Sequence, residues 1–335
     1  MSKRKTEPPS KTTIALFFTG GTIAMKRGIN NQGGIPEITL QNLVDPLRHL
    51  IPDIQIKAIH WANMPSPHLT PEHMFQLAID VKKMMDDPSV SGVVIVHGTD
   101  VMEETAFMID LVVNASKPII FTGAMRYYDE LGFDGIRNLF YSIKACLDTK
   151  SANLGVIILM ADRIFSAREV IKINSMNVDA FDSPGMGPIG FFEGDRLRII
   201  RFSKPRATLH VERIESNVDL IKLYTGMDSH LIHSAREHKV SGLVLEGFGS
   251  GNIPLEIVPA VEEMIDMGIP VVLSTRCIQG GAWPIYGYLG GGKNLYHRGV
   301  ILSGQLPGQK ARIKLMVALA KTKDLTELRR IFEGD

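Results

Sequence analysis

Ser91-Gly92-Val93-Val94-Ile95-Val96-His97-Gly98-Thr99-Asp100-Val101-Met102-Glu103-Glu104-Thr105-Ala106 sets the organisation of the chain. Val93 to Val96 is an unbroken run of β-branched residues, the pattern of a strand covered on both faces in a parallel sheet. From Val101 to Val113, the residues Met102, Ala106, Ile109 and Val113 recur at helical spacing. The turn between them is His97-Gly98-Thr99-Asp100. A strand that runs straight into a helix delivers such a turn to the carboxyl edge of a sheet, where open α/β folds bind ligands. Thr99 and Asp100 thus hold a hydroxyl and a carboxylate together over a helix N-terminus, whose dipole favours the ionised acid. Asp100 and Glu103 also have capping-box spacing, so a plain helix cap is the competing reading of the same residues.

The same unit recurs on either side. Ile14 to Phe18 reads as a buried strand and ends in Thr19-Gly20-Gly21-Thr22, a turn whose glycines let the backbone approach a ligand closely. A G-x-G-x-x-G dinucleotide signature is absent there. The polar segment Lys26 to Gly34 follows and reads as a mobile loop, a candidate lid. Short helix and strand candidates cover Leu40 to Leu50 and Ile54 to Ile59. Thr70 and Pro71 supply N-cap and N1 for a helix to about Met85. Pro118 to Thr122 is a strand ending in Gly123-Ala124, Phe133 to Leu147 a helix, Leu154 to Met160 a strand, and Ile189 to Phe202 a hairpin. After a polar stretch, strands at Val218 to Tyr224, Val240 to Leu245 and Val271 to Ser274 alternate with a helix at Leu255 to Met267. Helices at Lys310 to Lys321 and Leu325 to Phe332 close the chain. The alternation predicts an α/β protein: a larger N-terminal doubly wound, mostly parallel sheet and a smaller C-terminal α/β domain. The divisions are a flexible arm over 1–11, a catalytic domain over 12–203, a linker over 204–217 and a C-terminal domain over 218–335.

Composition narrows the function classes. The 335 residues carry 37 Lys and Arg against 36 Asp and Glu, a net charge of +1 that argues for neither nucleic acid nor an anionic membrane as partner. The run Ile14 to Phe18 is too short for a signal-peptide core or a membrane span, so a cytoplasmic location is expected. Cys146 and Cys277 lack metal-type spacing and read as free thiols. His60, His68 and His73 do not form a convincing metal set, and no metal or cofactor is expected. His97 reads as a packed strand-end histidine.

Three strand ends therefore offer polar groups to one sheet edge: Thr22, Thr99 with Asp100, and Gly123-Ala124. Together they resemble the bacterial-type L-asparaginase (asparaginase/glutaminase) family, in its cytoplasmic form. The resemblance is carried by Thr19-Gly20-Gly21-Thr22-Ile23-Ala24 and by His97-Gly98-Thr99-Asp100 with Met102-Glu103-Glu104-Thr105-Ala106. It continues through Thr122 to Arg126, Asp134-Gly135, Asn138-Leu139, Arg168 to Asn174, Gly247 to Asn252, Ser303 to Leu306 and Gln309 to Arg312.

The resemblance implies that Thr22 is the nucleophile and that Thr99, Lys172 and Asp100 form a second catalytic group. Asp100 would also hold the substrate's α-amino group. Ser66 with Pro67 would lie at the α-carboxylate, the Thr99 and Ala124 N–H groups at the oxyanion, and Asn252 in a neighbouring subunit's site. It implies a homodimer, often doubled to a homotetramer. This chemistry is coherent: carboxamide hydrolysis needs an activated hydroxyl, proton delivery to ammonia and oxyanion donors. The expected activity is hydrolysis of L-asparagine to L-aspartate and ammonia, with weaker action on L-glutamine. A non-catalytic amino-acid sensor and an ammonia-supplying amidotransferase subunit are the competing functions. The chain departs from the family pattern in two places. Its loop from Lys26 to Ile38 lacks the tyrosine that often activates the nucleophile, which leaves Tyr127 or Tyr128 as a substitute. Its carboxylate loop reads Ser66-Pro67-His68, where the family usually has Ser, then Gln or Ser, then Asp.

Overall fold

A computed structural model of the chain describes residues 12–28, 33–203 and 208–334. The N-terminal arm, the tip of the expected lid and the start of the expected linker lie outside them. In chain order the strands are β1 (Thr12–Phe18), β2 (Met25–Arg27), β3 (Gly34–Pro36), β4 (Ile54–His60), β5 (Val90–Val96), β6 (Ile119–Thr122), β7 (Val156–Met160), β8 (Arg163–Ser166), β9 (Ile171–Lys172), β10 (Phe181–Asp182), β11 (Gly190–Glu193), β12 (Arg196–Ile199), β13 (Val218–Lys222), β14 (Gly242–Gly247), β15 (Val271–Thr275) and β16 (Ile301–Leu302). The helices are α1 (Leu40–Val44), α2 (Pro71–Asp86), α3 (Met102–Val112), α4 (Gly135–Leu147), α5 (His230–Glu237), α6 (Val258–Asp266), α7 (Gly292–His297), α8 (Gly308–Lys321) and α9 (Leu325–Glu333).

Among the described residues, the larger sheet has the order β12-β11-β8-β7-β6-β5-β1-β4. From β4 to β7 every neighbour is parallel, and β8, β11 and β12 add an antiparallel flank. The period-two pattern explains its two covers. Ile14, Leu16 and Phe18 of β1 join one apolar cluster with Leu139 and Ile143 of α4, while Ala15 and Phe17 join another with Leu77 of α2 and Ile109 of α3. Both faces are buried, as the unbroken apolar runs required. The order reverses around β1, which lies between β4 and β5. The ends of β1 and β5 therefore open onto a switch point, the usual ligand crevice of such sheets.

The smaller sheet, β13-β14-β15-β16, is parallel throughout. Helix α8 fills the space between it and the larger domain. Its residues Ile313, Leu315, Met316 and Val317 share a cluster with Phe107 and Met108 of α3 and Met74 and Phe75 of α2. It is buried on most of its circumference, so that even Lys310 and Lys314 are enclosed.

The sequence reading differs from the fold in several places. Lys26 to Gly34 is not wholly a loop, because β2 and β3 pair antiparallel across it. Helix α3 starts at Met102 with Val101 at its N-cap and no side-chain cap, so Asp100 and Glu103 form no capping box. Their carboxylates are engaged elsewhere. His73 instead completes a capping box with Thr70 at the start of α2.

Helix α3 also carries Glu104 into the interdomain layer. Burial pushes its carboxyl up to about 7 and the neighbouring Glu103 adds to this, while Arg312 and Lys310 oppose it. Between its ordinary value of 4.5 and about 7 the unfolded chain has released a proton that the folded chain keeps. Stability is therefore lost as pH rises through that window. Glu104→Gln should leave stability near wild type at pH 4 and raise it by roughly 2–3 kcal/mol at pH 8. Urea denaturation at both pH values checks this, and an equal difference at the two would contradict it.

Candidate active site

Four chain turns meet at the switch point, and glycines let them meet. Gly20 and Gly21 follow β1 with φ of 104° and 96°, a region costly for any side chain. A Cβ on Gly21 would lie 2.4 Å from the Gly98 Cα, and one on Gly20 would lie 2.7 Å from the Met64 backbone N. A Cβ on Gly98 would lie 2.7 Å from both Cβ and Oγ of Ser66. One on Gly123 would lie 2.5 Å from the His97 carbonyl O and 3.5 Å from Thr99 Cγ2. The turns after β1, β5 and β6 and the Ser66 loop are thus in backbone contact. Threonines lock them: Thr19 Oγ1 donates to Val96 O at 3.1 Å, and Thr122 Oγ1 to Leu159 O at 3.0 Å.

Thr22 follows this turn, half-buried, at the start of a short 3-10 segment, Thr22–Ala24. Ser66 is buried in a second such segment with Pro67 and His68. Its Oγ accepts from the Asp100 N–H at 3.2 Å, which leaves its own proton for another acceptor. Lys172 enters from the side, on β9. Its Nζ donates to Thr99 Oγ1 at 2.9 Å and to Asp100 Oδ1 at 2.7 Å. The ammonium is largely shielded, with 15% of its side chain exposed, whereas 59% of the Asp100 side chain is open to solvent. A hydroxyl, a carboxylate and an amine thus form one hydrogen-bonded group beside the Gly21-Thr22 turn.

Buried polar groups of α3 and α8 hold Lys172 there, and their role was not read from the sequence. Glu103 accepts from the Lys172 backbone N–H through one oxygen and from Gln309 Nε2 at 2.6 Å through the other. Lys310 donates to the carbonyls of Ala167 at 2.7 Å, Arg168 at 3.1 Å and Val170, in the segment leading into β9. Burial pushes its ammonium down to about 8, against the pull of Glu103, Asp110 and Glu169. The motif residues Glu103, Gln309 and Lys310 were visible as a likeness; only the long-range pairing reveals their purpose.

Residues 13–204 match the family model for the asparaginase N-terminal region, and residues 217–332 match that for the glutaminase/asparaginase C-terminal domain. The chain belongs to the asparaginase family. It is 34% identical to a probable L-asparaginase of Deinococcus radiodurans, over 97% of this chain and 98% of that one. It is 30% identical to an L-asparaginase of Bacillus licheniformis, over 93% and 96%. Its fold matches the crystal structure of a probable cytoplasmic L-asparaginase from Campylobacter jejuni with a TM-score of 0.86 at 30% identity, covering 97% of this chain and all of that one. The mixed α/β architecture is that of the family.

The asparaginase-like residues are not all gathered in one place. Thr99, Asp100, Lys172 and Ser66 are joined by hydrogen bonds, and Thr22 and Ala124 lie on the turns that abut them. Asn252 stays apart, in the turn after β14, where its Nδ2 donates to Phe248 O at 3.3 Å. Tyr128 packs on Phe133, with ring centroids 5.2 Å apart. Tyr127 lies against the hairpin that follows Thr22: a Cβ on Gly34 would come within 2.5 Å of its ring. A separate cavity of about 450 Å3 opens between the domains, bordered by Ile171, Thr275 and Cys277 rather than by Thr22.

Because Gly98 touches Ser66 so closely, Gly98→Ala must push the Ser66 loop away. The expected loss is about 1–3 kcal/mol of stability, the usual cost of forcing atoms into packed space. An unchanged urea midpoint would show that the contact yields freely.

Proposed function

We propose that the protein is an amidohydrolase that converts L-asparagine to L-aspartate and ammonia through a Thr22 nucleophile, with L-glutamine a weaker substrate. The observation that carries this reading is the Lys172 ammonium bonded to both Thr99 and Asp100 beside the Thr22 turn. Names of relatives support the substrate: besides the L-asparaginases, a glutaminase-asparaginase of Pseudomonas aeruginosa is 29% identical.

Thr22 Oγ1 attacks the carboxamide carbon as its proton passes to Thr99 Oγ1 and the Thr99 proton passes to Lys172, which has first released one proton to solvent and accepts as the neutral amine. The C–N bond breaks, the nitrogen takes that proton, and ammonia leaves. Water, activated by the same pair, then cleaves the Thr22 ester, releasing L-aspartate and restoring the hydroxyl. The N–H groups of Thr99 and Ala124 bind the oxyanion in both steps, each such donor contributing roughly 3–4 kcal/mol to the transition state. Asp100 binds the α-ammonium of the substrate, and the free Ser66 hydroxyl proton binds its α-carboxylate. Pro67 shapes that loop.

Tyr127 rather than Tyr128 assists Thr22, because the Tyr127 ring lies against Gly34 of the β2–β3 hairpin, whereas the Tyr128 ring is turned onto Phe133. The protein acts as a homodimer or homotetramer. An exposed apolar strip through Trp283, Ile285, Tyr286, Tyr288 and Leu289 is anchored beside the Asn252 turn, where Trp283 N–H donates to Ser250 O at 2.9 Å. Burying it against a second copy brings Asn252 to that copy's site. Among the described residues no helix is long and apolar enough to cross a membrane, and we place the enzyme in the cytoplasm, as the name of the Campylobacter jejuni relative does for that protein.

Ammonia release from asparagine tests the reading. Thr22→Ala should lose at least about 1,000-fold in kcat, as expected when a nucleophile is removed. Wild-type turnover in that variant would exclude the ester. Asp100→Asn should raise KM and lower kcat together; an unaltered KM would remove Asp100 from the ammonium. Tyr127→Phe should lose about tenfold or more in kcat, within the range of a lost proton-transfer group, while Tyr128→Phe should not; equal rates in the two would dismiss Tyr127.

A further inference from the structure

The reaction leaves two buried polar side chains near the strand ends without a task. His97 is wholly enclosed at the end of β5, its ring edge-on to Phe121 at 5.7 Å. Its Nδ1 lies 2.6 Å from the Gly98 carbonyl O. A carbonyl only accepts, so the ring proton sits on Nδ1. Nε2 is then a bare lone pair, buried and without a partner among the described residues. Burial pushes the imidazole down to about 4, opposed by the Gly98 bond, and keeps the ring neutral at working pH. Asn138, on α4, is 1% exposed. Its Nδ2 donates to Gly123 O at 3.0 Å and to Asp134 Oδ2 at 3.1 Å, while its Oδ1 accepts from Ala161 N–H at 3.1 Å.

Both side chains grip the carbonyl of a glycine, and each glycine precedes a proposed oxyanion donor. All described peptides are trans. In a planar trans peptide the C=O and the next N–H point in opposite directions, so holding one aims the other. The Gly98 carbonyl thereby sets the Thr99 N–H, and the Gly123 carbonyl sets the Ala124 N–H. Among the described residues neither of these N–H groups donates to a protein acceptor, although Thr99 is 5% and Ala124 1% exposed. Buried amides are seldom left unpaired, and two such donors on touching turns point to a common acceptor supplied by the ligand. Donation to the carbonyl also polarises each amide and strengthens its N–H as a donor.

We propose that His97 and Asn138 are a matched pair of positioning residues, each donating to the carbonyl of the peptide whose N–H meets the developing oxyanion. The inference rests on the hydrolysis proposed above. It converts two packed polar residues into the elements that fix the electrostatics of the transition state before substrate arrives.

The test compares His97→Leu, which removes the donor, with His97→Asn, whose amide can place an N–H near the Nδ1 position. Circular dichroism checks folding, and ammonia release gives kcat and KM from pH 5 to 9. His97→Leu should lose roughly 10–100-fold in kcat, somewhat less than deletion of a whole oxyanion donor, with KM within about threefold, since the oxyanion forms only after binding. His97→Asn should recover most of kcat, and both variants should keep the wild-type pH profile because the neutral ring contributes no titration. At the second peptide, Asn138→Leu should show the same kcat-selective loss, which keeps the test open if one variant does not fold. Full kcat in folded His97→Leu, a His97→Asn variant as slow as His97→Leu, or a loss expressed in KM alone would overturn the proposal. A wild type that releases no ammonia from asparagine overturns the hydrolysis reading and this inference with it; an active wild type separates the two.

Discussion

The Lys172 ammonium is held between the Thr99 hydroxyl and the Asp100 carboxylate, and much of the surrounding structure serves to keep it there. A largely shielded cation needs compensating groups on every side. Asp100 supplies charge and Thr99 an acceptor, but neither fixes the chain that carries the lysine. That chain is the two-residue strand Ile171–Lys172, whose one partner among the described residues is the equally short antiparallel β10. Its position comes from Glu103 behind it and from the buried Lys310, whose three carbonyl acceptors lie in the turn before it. Lys310 belongs to α8, the helix that the C-terminal sheet packs against α2 and α3. The geometry of a group at the edge of the first sheet is therefore set by the docking of the second.

Backbone proximity is the other constraint. Gly21 against Gly98, Gly98 against Ser66, and Gly123 against His97 leave no room for a Cβ. The turns after three neighbouring strands consequently approach one another as bare main chain, with N–H groups available where side chains would otherwise intervene. A parallel sheet provides this economically: strands in common register end together, and a reversal of strand order parts their following helices. Hydroxyls of Thr19 and Thr122 bond across to the carbonyls of Val96 and Leu159 and tie neighbouring strand ends together.

Much of this was legible in the sequence. Apolar runs at Ile14, Val93, Ile119 and Val156 mark strands buried on both faces, and the Gly-rich or Thr-bearing turns after them mark the ligand edge. Thr22, Thr99, Asp100 and Lys172 could be named from their motifs. Other features escaped for physical reasons. The antiparallel flank turns between β7 and β8 at Ala161 and Asp162, non-glycine residues with φ of 49° and 63°, where no Gly or Asn announces a hairpin. Helices α5 and α7 span eight and six residues and are mostly polar, too short for an apolar period to stand out along the chain. Asp100 and Glu103 have the spacing of a cap but are claimed by Lys172 and Gln309, partners about seventy and two hundred positions away, a competition that local spacing cannot reveal. The Gly123 carbonyl held by Asn138 is likewise a pairing across fifteen positions, whereas His97 holds the carbonyl of its own neighbour Gly98.

In the proposed reaction Thr22, Thr99, Lys172 and Asp100 surround one amide carbon. A crystal structure of the protein soaked in L-aspartate, the product, tests it most directly. The side-chain carboxyl carbon of aspartate should lie within about 3.5 Å of Thr22 Oγ1, the separation of a near-attack arrangement. One carboxyl oxygen should accept from the Thr99 and Ala124 N–H groups, and the α-ammonium should donate to Asp100. Aspartate bound in that crevice with its side-chain carboxyl turned away from Thr22, or bound elsewhere with the crevice unchanged, would contradict it.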